Sequence, residues 1–404
     1  MEIGPILRAM IRNKLGAVLI TLQIAFTMTV VINAIFIINE RSNLMARPSG
    51  LDEANTFYLS SVGYGDEFNG VVTVRDDLER LRQTPGVVDA TVTNAIPVSG
   101  SGSNTGVRLV DDEAAATSFA AYYRVDEHAI ETMDLDLVAG RNFAAEDVQW
   151  RAGSEAITTR ELIISQQLAN NLFPDREPNG VLGETMFING SEAHQIIGVV
   201  EQLQGPWPSN SSVELSMLQP NSSVGSSATY LIRTEPGQRD RLMAEVEEML
   251  VASNSNRIIR DLMSLEQTRE GSYRIDSAMS TILWAIIITL IFITSMGIVG
   301  MAVFGINRRR KQIGTRRALG ATRLEILRHF MVENLMVSTI GVTLGAILTI
   351  AFSIVLTSSF NMPTMAWYYT PLGMIALILI GQVAVLEPSS CAARTEPAIA
   401  TRSI

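Results

Sequence analysis

The sequence predicts a membrane protein with four transmembrane α-helices plus a large α+β extracytoplasmic domain. Three observations carry this reading. The 404 residues are 47% hydrophobic and only 18% charged, and the apolar excess is gathered in four windows, Gly16–Ile38, Ile282–Phe304, Val332–Leu356 and Leu372–Leu386. A long acidic stretch separates the first window from the second, and the basic residues cluster at the window ends.

Residues 1–15 come first. Ile3, Ile6, Leu7, Met10 and Ile11 recur at helical spacing, with Arg8 and Arg12 on another face. This pattern predicts an amphipathic helix lying in the inner interface, basic side toward anionic headgroups; a plain extension of the first span is the alternative. The first window is longer than the apolar core of a signal peptide. It exits through INERSN with no small-x-small cleavage site, so it reads as a retained anchor. The first three windows supply the ~20 residues that a helix needs to cross ~30 Å of hydrocarbon. The fourth is short, but Trp367, Tyr368 and Tyr369 precede it like an interfacial aromatic belt. The spans expected are therefore 16–39, 281–305, 331–356 and 371–386, with a loop at 306–330, a short one at 357–370 and a tail at 387–404.

Within the domain at 40–280, two portions look alike. A strand-like TFYLSSV precedes a helical VRDDLERLRQ and then VVDATVTNAI; ATYLIRT precedes RDRLMAEVEEMLVAS and then NRIIRDL. Leu78 and Leu81 in one helix, and Leu242, Val246, Met249 and Leu250 in the other, keep the helical period. Two such β-α-β units, 56–100 and 226–264, pair into a ferredoxin-like, porter-type layer. Residues 101–225 then form an inserted, mostly-β subdomain whose Ser/Asn-rich end, PSNSSVELSMLQPNSSVGSS, reads as a flexible loop. Residues 265–280 read as a helical stalk returning to the second span.

Charge sets the orientation. Residues 40–276 hold 18 Arg and no Lys against 36 Asp plus Glu, a net of −18, while the rest of the chain sums to +8. The positive-inside rule then puts both termini and the 306–330 loop in the cytoplasm and the acidic domain outside the membrane.

That loop opens with RRRKQIGTRRALGATRLEIL (308–327), where seven of twenty residues are Lys or Arg and one is acidic. A topogenic signal accounts for the charge but not for the residue order. Gly320 ends a helical run as a left-handed glycine commonly does. Thr322 and Glu325 then form T-x-x-E, a capping box that starts a new helix entering the third span. A short helix, a fixed bend and a long helix make a lever. The stretch 308–327 has no aromatic residues for base stacking and lies against the bilayer, which argues against a nucleic-acid partner.

KQIGTRRALGATRLEILRHFMVEN resembles the cytoplasmic signature of MacB-type, FtsX-like ABC transporter permeases. DLVAGRNFAAEDV, the stretch from ELIISQQLANNLF to GETMFI, and QIIGVVEQ resemble that family's periplasmic core domain, and AARTEPAIATR its closing motif. Two departures are Gln312 where the family has an acidic residue, and Ser389–Cys391 where it has a basic pair. The resemblance implies a non-catalytic permease subunit, a mechanotransmitter that couples ATP hydrolysis on a separate cytoplasmic ABC ATPase to motion of the periplasmic domain and export of a substrate from the periplasm. It implies a bacterial inner membrane with the acidic domain in the periplasm. It also implies a dimer with a second permease copy or a paralogue, and leaves open a periplasmic adaptor and an outer-membrane channel. ATP and Mg would sit on the ATPase, with no cofactor on this chain. Gln312, Ile313, Gly314, Thr315, Arg316, Arg317, Ala318 and Leu319 would form the coupling helix. The alternative function is an FtsX-like signal transmitter that senses a ligand or activates a periplasmic cell-wall hydrolase without transport.

The remaining motifs agree with a non-catalytic chain. No G-x-x-x-x-G-K-[ST] occurs, nor G-x-S-x-G. Cys391 is the single cysteine, and His128, His194 and His329 form no metal-ligand spacing. Gly341 and Gly345 give a G-x-x-x-G in the third span, suited equally to a dimer contact or to packing within one subunit. Glu333 and Asn334, at the cytoplasmic edge of that span, read as interfacial groups near Arg residues, with a proton relay as the alternative.

Overall fold

A computed structural model describes residues 14–394 apart from 67, 113, 153, 154, 156, 189–191, 209–211 and 361. Residues 1–13 of the expected interfacial helix, and the closing motif beyond Arg394, lie outside the described residues. The chain divides into two compact units, Leu44–Ile275 and the membrane helices on either side of it.

In chain order the elements are α1 (Lys14–Met45), β1 (Thr56–Gly63), α2 (Gly70–Gln83), β2 (Val87–Thr93), β3 (Asn104–Arg108), β4 (Ser118–Arg124), α3 (Ala129–Met133) and β5 (Leu137–Gly140). They continue as β6 (Gln149–Ala152), β7 (Glu161–Ser165), α4 (Gln166–Leu172), β8 (Thr185–Ile188), β9 (Glu192–Val200), β10 (Ser216–Gln219) and β11 (Asn221–Val224). Then come β12 (Ser227–Thr234), α5 (Arg239–Ser253), β13 (Arg257–Ser264), α6 (Leu265–Ser272), α7 (Arg274–Arg308), α8 (Arg310–Ala318), α9 (Arg323–Phe360) and α10 (Tyr369–Ala393).

The Leu44–Ile275 unit has two layers. Its first sheet has the order β13-β1-β12-β2 and is antiparallel throughout. The units β1-α2-β2 and β12-α5-β13 interlock, as a split ferredoxin-like arrangement requires. Strand alternation gives each side chain its face. Phe57, Leu59, Tyr230 and Ile232 pack against Val74, Leu78 and Leu81 of α2 and Leu242, Val246 and Leu250 of α5. Tyr58 and Leu231 point into a second core with Tyr123, Ile163, Val200 and Leu218 of the inserted subdomain. Asn69 caps α2 by accepting the Val72 N–H.

The insertion forms a sheet of order β5-β9-β7-β10-β4-β3-β8, and β8 pairs again with β9. Hydrogen bonding thus returns on itself and closes a small barrel around Leu162, Ile164, Met186, Ile188, Ile196 and Met217. Closure removes the unpaired edges that an open sheet would leave. The Ser/Asn-rich end differs from the flexible loop expected of it. It folds as β10, parallel to β4, and β11, parallel to β6, with Ser216, Asn221 and Ser222 buried. Pairing of the backbone polar groups offsets the low strand propensity of these residues.

In the membrane unit, α1, α7, α9 and α10 are long and apolar enough to cross a bilayer. Helix α1 is the most enclosed of the four. Its Ile24, Met28 and Ile32 pack with Ile298 of α7, Val337 and Val342 of α9, and Leu377 of α10. Polar rungs join it to its neighbours. Thr27 Oγ1 lies 2.7 Å from Thr294 Oγ1, and Gln23 Nε2 donates to the Ile293 carbonyl at 3.1 Å. Gly341 and Gly345 pack on α1 of the same chain. A Cβ at Gly341 would stand 2.9 Å from the Ile24 Cβ, and one at Gly345 2.9 Å from the Met28 Cβ. Helix α10 runs through Pro388 to Ala393, past the Leu386 limit of the apolar window, and carries exposed Cys391. The 265–280 stalk is broken at Tyr273, between α6 and α7.

Candidate coupling site at residues 306–330

Helix α8 is built to lie against the ends of its neighbours. Ile313 and Gly314 are its buried residues, and Ile313 clusters with Ile326 and Phe330 of α9 and Ala392 and Ala393 of α10. Gln312, Thr315, Arg316 and Ala318 are exposed around the other face, and Arg317 is half-buried. Leu319 is 83% exposed.

The bend after α8 is fixed by its own hydrogen bonds. Gly320 has φ +98°, its N–H donates to the Arg317 carbonyl at 3.2 Å, and the Ala321 N–H donates to the Arg316 carbonyl at 3.0 Å. This pair of bonds is a Schellman motif, which satisfies carbonyls that a helix end leaves free. The Arg317 guanidinium also donates to the Ala321 carbonyl at 3.2 Å. Two residues on, the Glu325 N–H donates to Thr322 Oγ1 at 3.3 Å, and the Thr322 N–H donates to Glu325 Oε2 at 2.8 Å. Both halves of a capping box are present. One helix is therefore closed and the next opened within four residues.

A second fixture was legible only in part, as a carboxylate at Glu333 near unspecified Arg residues. Arg309, between α7 and α8, forks onto Glu333 of α9, with Nη1 to Oε2 at 2.8 Å and Nη2 to Oε1 at 3.0 Å. Both side chains are about four-fifths buried, and a bidentate guanidinium–carboxylate pair fixes direction as well as distance. Asn334 Nδ2 donates to the Gly381 carbonyl of α10 at 3.0 Å. Nothing in the spacing of Arg309 and Glu333 distinguishes them from the neighbouring charges. Among the described residues no group of three or more His, Cys, Asp and Glu side chains stands close enough to hold a metal ion.

Four apolar helices, an α+β domain inserted after the first and a basic helix exposed between the middle pair define a transporter permease. The chain belongs to the MacB/FtsX-like permeases of ABC transporters: the MacB-like periplasmic core domain matches residues 16–249 and the FtsX-like permease C-terminal domain residues 284–397. It is 25% identical over 340 residues to the uncharacterized ABC transporter permease YknZ of Bacillus subtilis, covering 80% of this chain and 82% of that protein. It is also 25% identical over 354 residues to the macrolide export ATP-binding/permease protein MacB of Campylobacter jejuni, covering 83% of this chain and 50% of that protein. The chain thus spans about half the length of the MacB relatives. Among solved structures, the periplasmic region of MacB from Actinobacillus actinomycetemcomitans aligns over 57% of this chain and 97% of its own, with 15% identity and a TM-score of 0.35.

Proposed function

We propose that the protein is a mechanotransmitter: a permease subunit through which a separate cytoplasmic ABC ATPase moves the external domain and drives export of a substrate from the outer side of the membrane. Its termini and the 306–330 loop lie in the cytoplasm, ATP and Mg bind to the ATPase, and a second permease copy or paralogue completes a dimer. Residues Gln312–Leu319 are the ATPase contact. The observation that carries this reading is the outward face of α8, with Arg316 and Leu319 exposed on a helix whose other face is anchored by Ile313. A loop that served only as a topogenic signal needs neither the anchored helix nor the closed bend.

The test is charge reversal at Arg316 and Arg317 together, measuring co-purification of the ATPase, ATP turnover and transport. The complex should weaken while membrane topology survives, because Arg308, Arg309, Arg310 and Lys311 still hold the loop inside. Wild-type values for all three measurements would reduce the cluster to a topogenic signal. Gly320→Val should act differently. A β-branched residue at φ +98° strains the bend by ~1 kcal/mol or more, so the ATPase should still bind while hydrolysis runs uncoupled from transport. Transport at the wild-type level in Gly320→Val would point away from a lever.

A further inference from the structure

A cavity of about 210 Å³ lies where the ferredoxin-like sheet meets the barrel. One wall is β2 and β12, with Thr93, Asn94 and Thr229; the other comes from β4 and β11, with Arg124 and Ser222. Ser222 is 3% exposed, lines the cavity, and its Oγ has no hydrogen-bond partner. Burying an unpartnered hydroxyl costs about 1–3 kcal/mol, so an unmet group beside a cavity is an argument for a ligand there.

Arg124 has the complementary chemistry. Its backbone N–H donates to Asn94 Oδ1 at 2.6 Å, and its guanidinium stacks over the Tyr122 ring with its central carbon 5.3 Å from the ring centroid. The ring orients the side chain, which forms no ion pair with a carboxylate among the described residues, and its Nε is buried without a hydrogen-bond partner. A second guanidinium adds to the positive potential. Arg151 is buried and donates to the Glu155 carbonyl; burial and then repulsion from Arg124 hold it below its ordinary value, with the Glu155 carboxylate opposing them only in part. Two neighbouring guanidiniums, one on a cavity wall, leave positive charge unmatched. A planar fork of donors with a free hydroxyl nearby suits a carboxylate or phosphate oxyanion.

We propose that this cavity binds a small solute through an oxyanion, carboxylate or phosphate, held by Arg124 and Ser222. The site is independent of the coupling helix, and because its walls belong to both layers, an occupant spans the seam between them. The experiment is isothermal titration of the full chain in detergent with inorganic phosphate in one arm and succinate in the other, against chloride at equal ionic strength. At least one anion should bind, and the arm that responds names the chemistry. Arg124→Gln should weaken binding about tenfold or more, as loss of a charge-assisted bond implies, and Ser222→Ala severalfold. Arg124→Lys keeps the charge but not the fork, so it should fall between wild type and Arg124→Gln. If Arg124→Gln fails to fold, Ser222→Ala and Arg124→Lys decide the matter. Absence of binding in both wild-type arms, or equal binding by the variants, overturns the proposal.

Discussion

At the scale of single residues, the external domain is organised around charges whose partners lie far away in the chain. Asp77 of α2 and Arg257 of β13 have side chains 2% and 1% exposed. Arg257 Nη2 donates to Asp77 Oδ1 at 2.9 Å and Tyr230 Oη to Asp77 Oδ2 at 2.6 Å, while burial and then Asp77 hold the tyrosine well above its usual value. Asp77→Ala should therefore destabilise the domain by about 3–5 kcal/mol, because it strands a buried guanidinium. Replacing both partners with apolar residues, Asp77→Leu with Arg257→Met, should recover most of that in denaturant unfolding of the full chain. His128 gives a pH dependence. Its Nδ1 is 2.9 Å from Asp89 Oδ2, and Arg82, Asp126 and Glu127 surround the pair. The hydrogen bond to Asp89 raises the imidazole above its ordinary 6.5, with burial and Arg82 opposing it. The stabilisation is then fully present below the unfolded value and lost as pH rises through the folded one. Thermal unfolding should show a decline from about pH 6.5 upward that His128→Gln removes. A decline of the same size in that variant would assign the effect elsewhere. None of these pairs was legible in the sequence, where Asp77 and Arg257 are 180 positions apart and resemble any other charges.

At the scale of elements, local features were legible and closure was not. The spans follow from long apolar runs, and the two β-α-β units from a period of 2 giving way to one of 3.6. The bend at Gly320 and the cap at Thr322 and Glu325 involve residues within a turn of each other, so their order in the chain suffices to suggest them. The barrel depends on β8 returning to β9 while β9 also pairs with β5 and β7, and no local pattern carries that. The Ser/Asn-rich end, which supplies β10 to the barrel and β11 to a separate pairing with β6, even points the other way. In the membrane, the tight approach of α9 to α1 sets a prediction. Gly345→Leu drives its side chain into Ala25 and Met28, whose atoms lie 3.1 and 2.9 Å from where a Cβ would begin, at a cost of about 1–3 kcal/mol. Gly300→Ala is the control, since its Cβ meets nothing within 4 Å. Thermal stability in detergent should fall for the first and stay near wild type for the second; equal behaviour would mean that the contact contributes little.

At the scale of the whole molecule, the division between a charged, acidic unit and an apolar one bordered by basic residues is the broadest property that composition revealed. The orientation proposed from it predicts a labelling pattern. With Cys391 changed to Ser, cysteines placed at exposed Ser101 and Ser226 should react in intact cells with a membrane-impermeant maleimide, whereas one at exposed Thr315 should react only after permeabilisation. Labelling at Thr315 in intact cells would invert the topology and remove the coupling site from the side where ATP is hydrolysed. The closed bend between α8 and α9 bears on the proposed transmission. Its carbonyl and amide bonds are satisfied within residues 316–325, so its angle does not depend on whatever touches α8. A joint of that kind absorbs little of the work applied to it. Under the proposed mechanism, a displacement of α8 by a few ångströms would become a torque on the 38-residue helix α9, delivered at its end and resisted where Gly341 and Gly345 pack on α1.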